Sequence, residues 1–95
     1  VALLTLRGRR EDRVKFFADS LRKEMDALAA ELGGTVVAGP APAPLLRAEN
    51  FYRYQVMMRT LRMSALGHKL STKRETFQIP DDIRLVIDID PMTLS

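Results

Sequence analysis

Apolar positions along these 95 residues switch between a spacing of two and a spacing of three to four. Residues 1–7 form a short leucine-rich run ended by Gly8, with Leu4 and Leu6 on one face and Leu3 and Thr5 on the other, so a strand is predicted. From about Arg10 to Leu32, Val14, Phe17, Leu21, Met25, Leu28 and Leu32 recur at helical spacing, while Lys15, Asp19, Arg22, Lys23 and Asp26 fall on the opposite side. Glu11 and Asp12 in the first turn suit the helix dipole, and Gly33-Gly34 supply a left-handed stop.

Residues 35–38 read as a second strand. Three prolines in the next stretch, Pro40, Pro42 and Pro44, remove backbone donors and hold the chain extended, so this segment is expected to be a rigid connector that cannot continue a sheet interior. Residues 45–51 are expected to complete a loop. Period two then returns: Tyr52, Tyr54, Val56, Met58 and Thr60 share one face, and Arg53, Gln55, Met57 and Arg59 share the other. Residues 61–75 carry Leu61, Ala65, Leu66, Lys69, Leu70 and Lys73 at helical spacing, giving a second helix with a basic polar side. Ile79-Pro80-Asp81-Asp82 is a turn, and residues 83–90 form a last strand with Ile83, Leu85, Ile87 and Ile89 inward, Arg84, Val86, Asp88 and Asp90 outward, ended by Pro91.

The order β-α-β-β-α-β is that of the split plait, an α+β fold in which a four-stranded antiparallel sheet packs two helices on one face and leaves the other open. The open face is expected to carry the row Arg53, Gln55 and Arg59, with Val56 and Met58 packing under Phe17 and Leu21. The length suits one domain with one core, and 46% apolar with 28% charged residues is ordinary for a globular chain. The absence of cysteine excludes disulfides, thiolate chemistry and cysteine-based zinc sites, and is compatible with a cytoplasmic setting. No apolar run is long enough to span a bilayer, so no membrane partner is expected. The start at Val1 without methionine suggests a piece of a longer chain.

The net charge of +3 is unevenly spread: residues 1–46 carry +1, residues 47–74 carry +6 and residues 75–95 carry −4. A concentrated basic segment points to a polyanion, because clustered Lys and Arg release condensed counterions from nucleic acid. A solvated charged surface accounts for the same numbers. Arg53 and Arg59 face away from the predicted core and so suit phosphate contact; Tyr52 and Tyr54 lie on the core face, where packing competes with base stacking. Lys73 and Arg74 also suit the end of the second helix through its dipole. His68 is the only histidine and has no nucleophile or second ligand at a suggestive spacing. Asp88 and Asp90 share a strand face, and strand-end capping or pairing with a neighbour is favoured over metal binding. No phosphate loop of the type Gly-x-x-x-x-Gly-Lys-Ser/Thr is present, so neither ATP hydrolysis nor any other catalysis is expected of this chain, and no cofactor.

Three motifs in order, Gly39-Pro-Ala-Pro-Ala-Pro-Leu45, Tyr52-Arg-Tyr-Gln-Val56 and Asp88-Ile-Asp-Pro91 followed by Leu94, resemble the C-terminal domain of the PriA family. That family comprises the primosomal replication-restart DNA helicases, also called primosomal protein N′. The resemblance spans nearly the whole chain and implies the same plait. It implies an accessory DNA-binding domain that helps an ATP-dependent 3′-5′ DNA helicase engage single-stranded and forked DNA. The motor lobes with their ATP and Mg, and a cysteine-bound zinc region, would lie upstream of Val1. Arg47, Arg53, Arg59, Arg62, Lys69, Lys73 and Arg74 are the expected phosphate contacts. The helicase core of the same polypeptide, other primosome proteins and the acidic tail of single-stranded DNA-binding protein, received near Arg62, are the implied partners. A docking module with little DNA affinity of its own, and a ribosomal-type RNA binder, are the alternatives.

Overall fold

A computed structural model describes residues 1–48 and 51–89, with side chains 44–48 outside the description. The elements are β1 (Ala2–Gly8), α1 (Glu11–Leu32), β2 (Thr35–Ala48), β3 (Phe51–Thr60), α2 (Met63–Arg74) and β4 (Ile83–Ile89). The strands form one antiparallel sheet in the order β2-β3-β1-β4, so each helix crosses over a strand that is not its sequence neighbour. This is the expected split plait.

Alternation decides which side of the sheet the helices cover. Ala2, Leu4 and Leu6 of β1 and Tyr54, Val56 and Met58 of β3 are buried, and they meet Val14, Ala18, Leu21, Met25, Leu28 and Leu32 of α1. Leu66 and Leu70 of α2 close the same core. Full burial of one such side chain stabilises the fold by about 1.5–3 kcal/mol, so the α1 stripe and the two central strands hold most of the structure together. Phe17, expected in the stripe, is only half-buried at the rim, edge-on to Phe16 at 5.2 Å between centroids. Ala18, four residues after Val14 and three before Leu21, takes the buried position on the centre of the stripe. Gly33 and Gly34 end α1 with φ of 73° and 56°, and the Gly33 N–H donates to Ala29 O at 2.9 Å.

The proline stretch departs from expectation. Rather than a connector followed by a loop, β2 runs on through the prolines, pairing Ala41 with Gln55, Pro42 with Tyr54, Arg47 with Tyr52 and Ala48 with Phe51, with register shifts between Ala38 and Ala41 and between Pro42 and Arg47. Edge position explains it: β2 has a neighbour on one side only, so a proline that turns its donor-free nitrogen outward removes no ladder bond. Gly39, at φ 99°, sits where the register first slips, and its carbonyl accepts a hydrogen bond from the Arg22 guanidinium of α1.

The second helix also starts later than its apolar spacing implied. Leu61 is fully exposed and precedes the helix, because the Arg62 N–H is taken by Thr60 Oγ1 at 3.0 Å and the chain turns there. Ion pairs Lys69–Glu31 at 3.0 Å and Lys73–Glu24 at 3.6 Å tie α2 to α1. Hydrogen bonding by Lys69 holds the Glu31 carboxyl below the usual carboxylate range. Arg13 and Asp82 join the start of α1 to the turn before β4 at 2.7 Å, and that hydrogen bond likewise lowers the Asp82 carboxyl.

Candidate nucleic-acid interface

The uncovered face of the sheet is built from Leu3, Thr5 and Arg7 of β1, from Phe51, Arg53, Gln55, Met57 and Arg59 of β3, and from Arg84, Val86 and Asp88 of β4. The register aligns these strands in rows. Arg7 stands directly opposite Arg53 on one side and Arg84 on the other, so three arginines cross the sheet in a line. Next to them run Gln55, Thr5 and Val86, with Gln55 Nε2 donating to Thr5 Oγ1 at 3.3 Å. The third row is Met57, Leu3 and Asp88. Thr5, Arg7, Arg53, Arg84, Val86 and Asp88 line one shallow groove.

Like charges directly opposite one another on a sheet destabilise it, typically by about 0.2–1 kcal/mol per pair, so a row of three cations works against the fold unless an anion answers it. Among the described residues none of the three has a carboxylate partner, whereas Arg10, Arg13, Arg22, Lys69 and Lys73 each have one. Beside the row, at the start of β3, Phe51 lies under two guanidinium groups, Arg7 at 4.9 Å and Arg9 at 5.2 Å from its ring centroid. That geometry orders both cations against the ring.

The expected site residues do not form one surface. Arg53 belongs to the row and is half-buried rather than exposed. Arg59 is exposed on the same face, but six residues along β3 and opposite Val36, roughly 20 Å away at strand rise. The Arg47 side chain falls outside the described residues, as does Asp90. Arg62, Lys69, Lys73 and Arg74 sit on the helical side: Arg62 donates to Leu32 O at 2.9 Å, Arg74 to Leu85 O at 3.3 Å, and the two lysines are held by Glu31 and Glu24. Tyr54 is buried, its hydroxyl donating to the Glu11 carboxylate at 2.8 Å, a bond that pushes the phenol pKa up. Its ring offers no face to a base. Tyr52 is half-buried on the same helical side of β3.

Arg7, Arg9, Arg84 and Phe51 were absent from the expected site. The alternation along the last strand already turns Arg84 outward, and Arg7 follows Leu4 and Leu6 in the same alternation, but nothing local to either strand says that both lie beside Arg53. Only the pairing register does.

The family model of the primosomal protein N C-terminal domain matches residues 1–92. The chain belongs to that family. No curated protein matches it. Membership makes this a primosomal, DNA-replication domain, and it agrees with the three motifs from which the resemblance was drawn. Among the described residues no helix is long and apolar enough to cross a membrane.

Proposed function

We propose that this domain is the accessory DNA-binding domain of a replication-restart helicase and holds single-stranded and forked DNA by its backbone phosphates at the open sheet face. The observation that carries the reading is the Arg53–Arg7–Arg84 row, aligned by register and without carboxylate partners among the described residues. Guanidinium groups in a row suit successive phosphates, and such contacts position a strand without reading its sequence. Arg9 and Arg59 extend the positive face toward its two ends. Phe51 lies too far under Arg7 and Arg9 to act as an open stacking platform and serves to fix those cations. ATP turnover, with its Mg, and zinc binding belong in this reading to other parts of the parent helicase. On the helical side, the exposed Arg62 at the start of α2 is the cation this reading assigns to the acidic tail of single-stranded DNA-binding protein.

The test compares two double variants for binding to single-stranded and forked DNA of several sequences at two or more salt concentrations. Arg7→Ala with Arg53→Ala is expected to weaken binding alike for every sequence and to lower the magnitude of the log-affinity against log-salt slope by roughly 0.7–0.9 per lost contact. Lys69→Ala with Lys73→Ala, whose ammonium groups are already engaged by Glu31 and Glu24, is expected to change the slope little. If the helical pair changes the slope and the sheet pair does not, the interface lies on the other side. If neither does but the sheet pair loosens association with the helicase motor supplied in trans, the face is a docking surface.

A further inference from the structure

The two edges of the sheet are unlike. At β2, prolines 40 and 42 and two register shifts blunt the edge against further pairing. At β4, seven residues without proline or glycine, Ile83-Arg-Leu-Val-Ile-Asp-Ile89, pair with β1 alone among the described residues. The direction of the free groups follows from two bonds. Arg74 donates to the Leu85 carbonyl, and the Ile83 N–H donates to Pro80 O in the turn, so neither residue uses that group toward β1. In an antiparallel strand alternate residues turn their N–H and C=O to the same side, so Leu85, Ile87 and Ile89 present theirs outward, together with the Ile83 carbonyl.

The side chains along this edge are complementary to themselves. Arg84 and Asp88 are exposed on the open face, two positions either side of Val86, and too far apart along one strand to pair. Within one chain Arg84 faces Arg7 and Asp88 faces Leu3, so among the described residues neither charge has its complement across the strand pair. An antiparallel pair of β4 strands with its two-fold axis at Val86 sets Arg84 against Asp88 of the second copy, twice. It also sets Leu85 against Ile87 and Ile83 against Ile89 on the helical side. A dyad at Leu85 sets Arg84 against Val86, and one at Ile87 sets Asp88 against Val86, so the axis at Val86 alone matches both charges within the described strand. That same axis brings the outward-facing Leu85 and Ile87 opposite each other, as a hydrogen-bonded pair requires. Val86 and Ile89, 40% and 43% exposed, are the apolar residues it covers. Gly67, Leu70, Ser71 and Arg74 of α2 line a groove with Ile87 and Ile89 on the helical flank of this edge.

We infer that β4 is a homotypic docking edge, at which a second copy of this chain adds in antiparallel register about Val86 to make one continuous eight-stranded sheet. Arg74 gives up or shares the Leu85 carbonyl on pairing. Pairing engages Arg84, the β4 member of the row, with Asp88 of the second copy, and leaves Arg7, Arg9 and Arg53 open; the inference rests on the β4 edge and not on the DNA reading, and its test uses no nucleic acid. A seven-residue edge buries less than the roughly 1,200 Å² of a standard interface, so self-association is expected near roughly 0.1 mM.

Sedimentation of the chain up to about 1 mM reads the dimer directly. Arg84→Asp or Asp88→Arg alone opposes like charges twice and is expected to weaken association about tenfold or more, while the two together restore it. Because the chain has no cysteine, Val86→Cys reports the register separately: it is expected to form a disulfide dimer on mild oxidation. Arg84→Cys is expected to cross-link to Asp88→Cys in a mixture but not to itself. A chain that stays monomeric at about 1 mM overturns the inference. So does a double charge reversal as weak as either single one, or an Arg84→Cys variant, folded by circular dichroism, that cross-links to itself as readily as Val86→Cys.

Discussion

Arg53→Gln should make the domain more stable and a weaker binder of DNA at the same time. Arg53 is directly opposite Arg7, so the substitution removes one like-charge cross-strand pair, while Gln retains most of the stem that half-buries at this position. The relief is about 0.2–1 kcal/mol, which for a domain of this length raises the melting temperature by roughly 1–8 °C. Because the repulsion acts between partly solvated charges, the gain should shrink as the Debye length falls from about 10 Å at 0.1 M salt to about 3 Å at 1 M. Binding should move the other way. One lost phosphate contact lowers the salt slope for a single strand by about 0.7, so between 50 and 200 mM salt the unaltered domain should lose about two- to threefold more affinity than the variant. Thermal melts at low and high salt and fluorescence anisotropy over the same range measure both halves. A melting temperature that falls at low salt, or a slope that does not change, would refute the claim that these arginines repel each other and are answered by phosphate.

Three further perturbations test the frame that holds the row. Gly39→Ala places a methyl group 2.6 Å from Gln55 O at a backbone φ of 99°, and should cost about 2–4 kcal/mol in urea denaturation; an unchanged midpoint would mean that the slip in β2 is not where the register puts it. Met58→Ala empties a fully buried position under α1 and should cost about 2–5 kcal/mol, a large share of the roughly 5–14 kcal/mol expected for a domain of this length. Asp82 has its carboxyl lowered by the hydrogen bond from Arg13, so its contribution is present above the unfolded carboxylate range and is lost as pH falls through the lower folded value; Asp82→Asn should therefore flatten the acid limb of stability against pH below about 4, and an unchanged limb would show that the pair does not link folding to protons.

The fold was legible where one periodicity ran for several turns or alternations. Leu4 and Leu6, the stripe from Val14 to Leu32 apart from Phe17 at its rim, and Val56 and Met58 face the core that their spacing assigned them. Legibility failed where a residue's preference depends on a neighbour that the local sequence does not name. Prolines 40, 42 and 44 exclude a strand with partners on both sides, yet they are compatible with an edge, and edge position is a property of the sheet order. Leu61 fits a helical spacing with Ala65, but Thr60 and Arg62 form a turn around it and leave it in solvent.

The cationic row was legible in part for the same reason, and what segment charge missed has a definite form. Counting charge along the chain groups Arg53 and Arg59 with Arg62, Lys69, Lys73 and Arg74, because they are close in sequence and together give the most basic segment. A plait separates such neighbours: the third strand turns its arginines to the open face, and the helix that follows it carries its cations to the other side, where α1 supplies Glu24 and Glu31. The residues that do join Arg53 come from the first and last strands, 46 positions before it and 31 after it, and segment charge hides both. Arg7 stands in a segment of nearly balanced charge, and Arg84 is the one cation in a segment of net −4. Cross-strand register turns these scattered cations into a line, and the cost of holding them side by side without a carboxylate partner among the described residues is what supports the proposed phosphate contact.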